Sequence, residues 1–163
     1  MSIEKENFLR TKLVSHLQRL DPATPPRWGK MSVQQMIEHL GGDSFRVASG
    51  AIRMEKILTP PGQLPGMRSF MMSDKPFREN TPNPLLGDSP APVRYKTVQG
   101  AIGALQQELI RFFDVFEKNP QLTTRNPFFG DLSFDENVQL LYKHALHHLR
   151  QFGVEPDTRQ SAG

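Results

Sequence analysis

The sequence predicts an all-α fold, a four-helix bundle with up-down-down-up topology and a long proline-rich connection between helices 2 and 3. Three observations support this prediction. Four segments have apolar residues at helical spacing, almost no segment alternates apolar with polar residues, and eight of the 14 prolines lie between Pro60 and Pro92. Because 163 residues suit one continuous core, we expect a single domain over residues 1–156 and a disordered polar tail over residues 157–163.

The first two helices are amphipathic. The first extends from about Glu4 to Leu20 and ends before Asp21. The second begins at a capping box, in which the Ser32 and Gln35 side chains accept hydrogen bonds from each other's backbone amides. The faces that we expect to be buried consist of Leu9, Leu13, His16, Leu17 and Leu20 in the first helix, and of Val33, Met36, Ile37, Leu40, Ser44, Val47 and Ala48 in the second.

The third and fourth helices have the clearer patterns. The fourth begins at a second capping box, formed by Ser133 and Glu136, and ends at Gly153. The prolines between helices 2 and 3 exclude a regular helix there. This connection, residues 50–97, is long enough to cross the bundle, whereas the shorter connections between helices 1 and 2 and between helices 3 and 4 join antiparallel neighbours. The predicted buried faces are Val98, Ala101, Ile102, Leu105, Leu109, Phe112, Phe113 and Phe116 in helix 3, and Phe134, Val138, Leu141, Ala145, His148, Leu149 and Phe152 in helix 4.

The composition excludes several classes of function. The 20 lysines and arginines barely outnumber the 17 acidic residues and are interspersed with them, so we expect no nucleic-acid binding. No apolar run approaches the length of about 18 residues that a membrane span needs, and the N-terminus is polar, so we expect a cytoplasmic protein without membrane association. Because the chain has no cysteine, any metal ion must be bound by imidazole, carboxylate or water.

The histidines are the candidate functional residues. All five lie in predicted helices, and a spacing of four residues puts His144 and His148 on one face of helix 4, where two imidazoles can bind one metal ion. On a helical wheel this pair flanks the apolar face, whereas His147 points toward solvent. For each of them the alternative is a polar surface position or a hydrogen-bonded core position.

A third ligand must come from another helix. In the up-down-down-up arrangement His39 lies roughly 10 Å below the top of helix 2, level with the midpoint of His144 and His148. In an up-down-up-down bundle the two heights differ by roughly 10 Å, too far for imidazoles that each approach a metal ion to about 2 Å. His39 lies about 100° from the centre of its own apolar face, so His16 competes as third ligand or is a hydrogen-bonded core residue.

Two stretches of the sequence resemble a known family. Residues Arg27 to Ser32, followed by Met36 to Leu40, are similar to the start of the second helix of the DinB-like (DinB/YfiT-type) metal-binding superfamily. Residues Tyr142 to Gly153 are similar to its last helix, and Asn126 to Ser133 resembles a branch classed as a domain of unknown function. The resemblance implies a four-helix bundle with His39, His144 and His148 as metal ligands.

Three imidazoles without a protein carboxylate leave a divalent transition metal ion with open coordination positions, and nickel, zinc, iron and manganese all remain candidates. We therefore expect a metal-dependent enzyme acting on a small molecule, and the resemblance implies a transferase that uses a low-molecular-weight thiol as co-substrate, or a hydrolase.

A ligand imidazole would be oriented by a residue that accepts a hydrogen bond from its second N–H group, and the candidates are Glu38, Asp43 and Gln151. The segment with Met67, Phe70, Met71, Met72 and Phe77 would form either a lid over a substrate pocket or a packed loop. The alternative functions are a non-catalytic metal-binding or stress-associated interaction module, and partner binding through the apolar loop, which includes a homodimer.

Overall fold

The computed structural model describes residues 2–79 and 89–156 and is mostly helical, at 56%. The tail predicted over residues 157–163 lies outside the described residues. Two of the helices contain a π-helical turn, in which the backbone hydrogen bonds skip one more residue than in an α-helix. Helix α1 comprises Ile3–Asn7, the π-helical Phe8–Lys12 and Leu13–Arg19; helix α2 comprises Val33–His39, the π-helical Leu40–Phe45 and Arg46–Ser49; helices α3, α4 and α5 are Leu64–Met72, Val98–Lys118 and Phe134–Gln151.

The helix ends follow the side-chain signals in the sequence. Both predicted capping boxes are present, at Ser32 before α2 and at Ser133 before α5. Thr97 begins α4, because its side chain accepts a hydrogen bond of 3.0 Å from the backbone amide of Gly100. After α5 the chain turns at Gly153, whose φ of 78° is a conformation that glycine adopts without strain.

The buried faces agree with the prediction in α4 and differ from it in α2. All predicted positions of α4 are buried except Val98, which is partly buried. In α2 the face beyond Leu40 moves by one residue, so that Phe45 is buried in place of the predicted Ser44, and Val47 is only partly buried. The π-helical turn is the physical reason, because it inserts one residue into the helical period.

Two further expectations hold only in part. The fold is not entirely α-helical, because Thr124–Asn126 and Gly130–Leu132 form an antiparallel two-stranded sheet, β1 and β2, between α4 and α5. Its turn is stabilised by the Asn126 side chain, which accepts hydrogen bonds from two backbone amides. The proline-rich connection also contains a regular helix, α3, which tolerates Pro65 because this residue lies in its first turn, where an amide hydrogen is not needed.

Helices α1, α2, α4 and α5 share one apolar core. Lys5 and Phe8 of α1 contact Gln139 and Tyr142 of α5, in the same order along both helices. Gly41 and Phe45 of α2 contact Leu105 and Phe112 of α4, again in the same order. Phe134, at the start of α5, packs on Phe112, Phe113 and Phe116 at the end of α4. Within the described residues, none of the helices has the length and apolar character that a membrane span requires.

Candidate metal centre

Three histidine side chains from two helices converge at one point. His39 lies in α2, and His144 and His148 lie one turn apart in α5. The Nε2 atom of His144 is 3.3 Å from Nε2 of His39 and 2.8 Å from Nε2 of His148. The structure thus brings together the three histidines that the sequence indicated, close enough to bind one metal ion.

The second ring nitrogen of each histidine has a hydrogen-bond partner on the protein. Metal-binding histidines usually have such a partner, which fixes the tautomer and the orientation of the ring. The three pairs are His39 Nδ1 with Asp43 Oδ2 at 3.0 Å, His144 Nδ1 with Ser44 Oγ at 3.0 Å, and His148 Nδ1 with Gln151 Oε1 at 2.8 Å. Each imidazole is therefore held from behind while its Nε2 atom faces the other two.

These partners determine which ring nitrogens carry hydrogen. The carboxylate of Asp43 only accepts hydrogen bonds, so Nδ1 of His39 is the donor. The amide nitrogen of Gln151 donates to the carbonyl oxygen of Trp28 at 3.0 Å, which leaves its oxygen facing His148 and makes Nδ1 of His148 a donor as well. With hydrogen on Nδ1 alone, His39 and His148 would each present an Nε2 lone pair to Nε2 of His144.

A metal cation would satisfy these facing lone pairs better than a proton does. The Nε2 atom of His144 can carry one hydrogen, which satisfies one facing lone pair and leaves the other without a donor. A metal ion accepts all three lone pairs at once. Two bonds of about 2.0–2.1 Å at a tetrahedral angle would separate their nitrogen atoms by about 3.3–3.4 Å, and at a right angle by about 2.8–3.0 Å. The observed distances of 3.3 and 2.8 Å are close to these values, so the residues fit a divalent transition metal ion.

Burial favours the neutral form of His144 and His148. Burial lowers the pKa of His148 to about 3. The charge of His39 lowers this pKa further, whereas the hydrogen bond with Gln151 raises it. The pKa of His144 is also lowered well below its usual value, first by burial and then by the neighbouring histidines. At Asp43 burial would raise the pKa, but hydrogen bonding and charge from His39, with a contribution from Arg94, hold it below its usual value. Both histidines of α5 are thus neutral at neutral pH, the state in which imidazole binds metals.

Of the three residues expected to orient a ligand, Asp43 and Gln151 do so and Glu38 does not. Glu38 instead accepts a hydrogen bond of 2.6 Å from the backbone amide of Arg94, and another of 3.0 Å from the Gln34 side chain. The reason is its position one residue before His39, which turns its side chain about 100° away from the imidazole. Glu38 therefore attaches the chain that returns from the proline-rich connection to α2.

Ser44, the partner of His144, was not expected at the site. A regular helical period predicts Ser44 on the buried apolar face of α2, but the π-helical turn rotates Phe45 into the core and leaves Ser44 beside His144. A signal was present, because a regular wheel from Val33 onward leaves the large apolar side chain of Phe45 outside the buried face.

The other two histidine candidates lie outside the cluster. His16 packs on Phe8, with ring centres 6.1 Å apart, and is not among the three converging histidines. His147 is only partly exposed, contrary to the solvent position that the wheel indicated. Its ring lies 5.4 Å from that of Trp28 and 6.2 Å from that of Phe77, and burial lowers its pKa. His147 thus packs on aromatic rings next to the three converging histidines.

The proline-rich connection packs closely on α5. Met71 is fully buried with Phe129 and Leu132 in a second apolar cluster. The Gln139 amide donates hydrogen bonds to the carbonyl oxygens of Met71 and Ser73. These attachments favour the packed-loop interpretation of the segment over a lid.

A cavity of about 20 Å³ lies beside His39 and Asp43 and is also lined by Arg94. It has room for about one water molecule, so it is not a substrate pocket as it stands.

Compared with known proteins, the chain matches no family model, no curated protein and no solved structure. The chemistry of the site must therefore be argued from its own residues.

Proposed function

We propose that this protein is a metal-dependent enzyme of the DinB-like type, which binds one divalent transition metal ion through His39, His144 and His148. The observation that carries the proposal is the convergence of three Nε2 atoms, each on a ring whose Nδ1 atom has its own partner. An apolar core does not require three imidazoles in contact, since neutral rings with facing lone pairs destabilise one another without a shared cation.

The proposal includes a four-helix bundle of α1, α2, α4 and α5 with up-down-down-up topology. Contacts that run in the same order along α1 and α5, and along α2 and α4, support parallel pairs. The packing of Phe134 on the end of α4 supports an antiparallel α4 and α5. This topology places His39 level with the α5 histidines, which the height argument requires.

The absence of a carboxylate among the three ligands bears on the chemistry. When bound, a divalent ion with three neutral imidazoles supplies Lewis-acid chemistry, which polarises a carbonyl group or lowers the pKa of a thiol or of water. The chain's own contribution is to hold the imidazoles. Asp43 and Ser44 lie on α2 and Gln151 lies on α5, so the partners come from both helices of the site. The proposed reaction is a transfer to or from a low-molecular-weight thiol, or a hydrolysis, with a small-molecule substrate.

A second candidate function is a non-catalytic metal-binding module in which the ion holds α2 and α5 together. The small volume of the cavity at His39 favours it, because a structural site needs no room for substrate.

An activity screen tests the enzyme proposal. Tag-free protein loaded with nickel, zinc, iron or manganese is assayed with several low-molecular-weight thiols and electrophiles, and with activated esters. Activity should require metal, disappear in His144→Ala and persist in His16→Gln, which removes a histidine outside the cluster. If metal-loaded wild-type protein is inactive with every substrate while the metal raises its melting temperature, the structural function stands and the enzyme proposal fails.

A further inference from the structure

A second cleft lies on the opposite side of α5 from the histidines. It has a volume of about 180 Å³, and its walls come from α1, α5 and residues 73–76. This volume takes on the order of ten water molecules, enough for a small organic anion. On α5 the cleft is lined by Gln139, Tyr142, Lys143, Leu146 and Arg150. At about 100° per residue, the centre of this face is about 160° from that of His144 and His148, so the two sites are separate.

The charge of this cleft is strongly positive. Among residues 2–79 and 89–156, its lining includes four basic residues and one acidic residue, Asp74; the basic residues are Lys5, Lys75, Lys143 and Arg150. Four positive charges and one negative charge leave a formal +3, equal to the net charge of the whole chain. Basic and acidic residues elsewhere in the chain therefore balance, and the excess is concentrated here.

Lys143 is the most unusual of these cations, because its side chain is buried and only 7% of the residue is exposed. Its Nζ atom donates a hydrogen bond of 2.7 Å to the carbonyl oxygen of Phe70, and lies 4.4 Å and 4.9 Å from the ring centres of Phe70 and Phe77. Within residues 2–79 and 89–156 it has no carboxylate at ion-pair distance. A buried ammonium group with a single carbonyl acceptor has two further hydrogens to donate.

Lys5 is the second cation in the inner lining of the cleft. Lys5 is itself held in place, since it donates a hydrogen bond to the Gln139 side chain. Both lysines are thus held by hydrogen bonds in the lining of the same cleft.

We propose that this cleft binds a small multivalent oxyanion of the phosphate-ester class. A phosphate group carries a charge of about −1.5 to −2 near neutral pH, which suits the excess of positive charge. Lys5 and Lys143 form the fixed inner part of the site. Lys75 and Arg150 form its exposed rim, where Arg150 has only a long contact of 3.6 Å with the exposed Glu155. The proposal is independent of the metal centre.

The probes are inorganic phosphate and pyrophosphate, with acetate as a monovalent control, all at constant ionic strength. Binding to ¹⁵N-labelled full-length protein is followed by amide chemical shifts. We expect saturable shifts in residues 73–76 and in α5, with pyrophosphate binding more tightly than phosphate and acetate not binding. Equal responses to acetate, or no saturable response to pyrophosphate, would overturn the proposal.

Variants of the rim locate the site without disturbing the buried lysine. Arg150→Gln and Lys75→Gln should each weaken pyrophosphate binding about tenfold, the effect of losing one charge-assisted hydrogen bond. The matched control is Lys118→Gln, an exposed cation at the end of α4, which should bind as the wild type does. Binding that is unchanged in both rim variants, or equally weak in the control, would contradict the proposal.

The two sites are distinguished with His144→Ala, which should keep the pyrophosphate affinity of the wild type even if the metal proposal fails. Loss of binding in that variant would place the anion on the metal centre and refute a separate cleft.

Discussion

Gly41 allows a close approach between α2 and α4, and its replacement by alanine tests the packing of these two helices. A Cβ atom at Gly41 would lie 2.9 Å from the Cα atom and 3.0 Å from the Cβ atom of Leu105. Carbon atoms in contact are normally about 3.5–4.0 Å apart, so the two helices must separate by on the order of half an ångström or more. Neither atom belongs to the flexible end of a side chain, so a rotamer change cannot relieve the contact.

The expected cost of Gly41→Ala is about 1–3 kcal/mol from overpacking, offset by up to about 1 kcal/mol from the better helix propensity of alanine. Gly103→Ala is the matched control, because Gly103 lies within α4 and a Cβ atom there meets nothing within 4 Å. That change should stabilise the protein by about 0.5–1 kcal/mol.

Urea denaturation followed by circular dichroism gives both free energies of unfolding. The two variants should differ in sign relative to the wild type. A Gly41→Ala protein as stable as Gly103→Ala would refute the close contact of α2 with α4.

Three further predictions concern single side chains. Asp43→Ala should weaken metal binding 10–100-fold, which is the usual effect of removing the hydrogen-bond partner of a ligand histidine, whereas replacing the exposed Asp114 by alanine should not weaken it. Competition with a chelator measures both affinities, and equal affinities in the two variants would contradict the role of Asp43. In metal-free protein the folded-state pKa of His148, about 3, lies below its unfolded value near 6.5. The contribution of His148 to the free energy of unfolding is therefore fully present above pH 6.5, and it falls by up to about 1.4 kcal/mol per pH unit as the pH drops toward 3. Urea midpoints that do not change between pH 7 and pH 5 would be evidence against a neutral buried imidazole. Glu38→Ala should cost about 1–3 kcal/mol of unfolding free energy, because it leaves backbone amides of the returning connection without an acceptor, whereas Glu117→Ala, at an exposed site of α4, should change little in the same assay.

The parts of this fold that the sequence could predict are those determined by local chemistry. Ser32 and Ser133 are followed three residues later by Gln and Glu, and both form capping boxes because the pairing depends only on that spacing. The buried face of α4 follows from an unbroken apolar period. The contact between His144 and His148 likewise follows from one turn of an α-helix.

The parts that the sequence could not predict depend on backbone irregularity or on contacts between distant segments. The π-helical turn of α2 begins beside Gly41 and Gly42, whose lack of side chains hides the change of period. That turn decides that Ser44 rather than a core residue faces His144. The position of Glu38 depends on where the chain returns at Arg94, which no local pattern specifies. The nearness of His39 to α5 could be argued from helix heights, but metal binding at these residues stays a prediction.

A measurement of the metal content of the protein tests the central claim most directly. Protein produced without a histidine tag, in medium supplied with nickel, zinc, iron and manganese, is analysed by elemental mass spectrometry. The parent protein should contain close to one divalent transition metal ion per chain. His39→Ala, His144→Ala and His148→Ala should each lose it, while His16→Ala, which changes a histidine outside the cluster, should retain it. A folded parent protein that contains no metal and binds none when it is added, or retention of the ion in all three variants, would contradict the account.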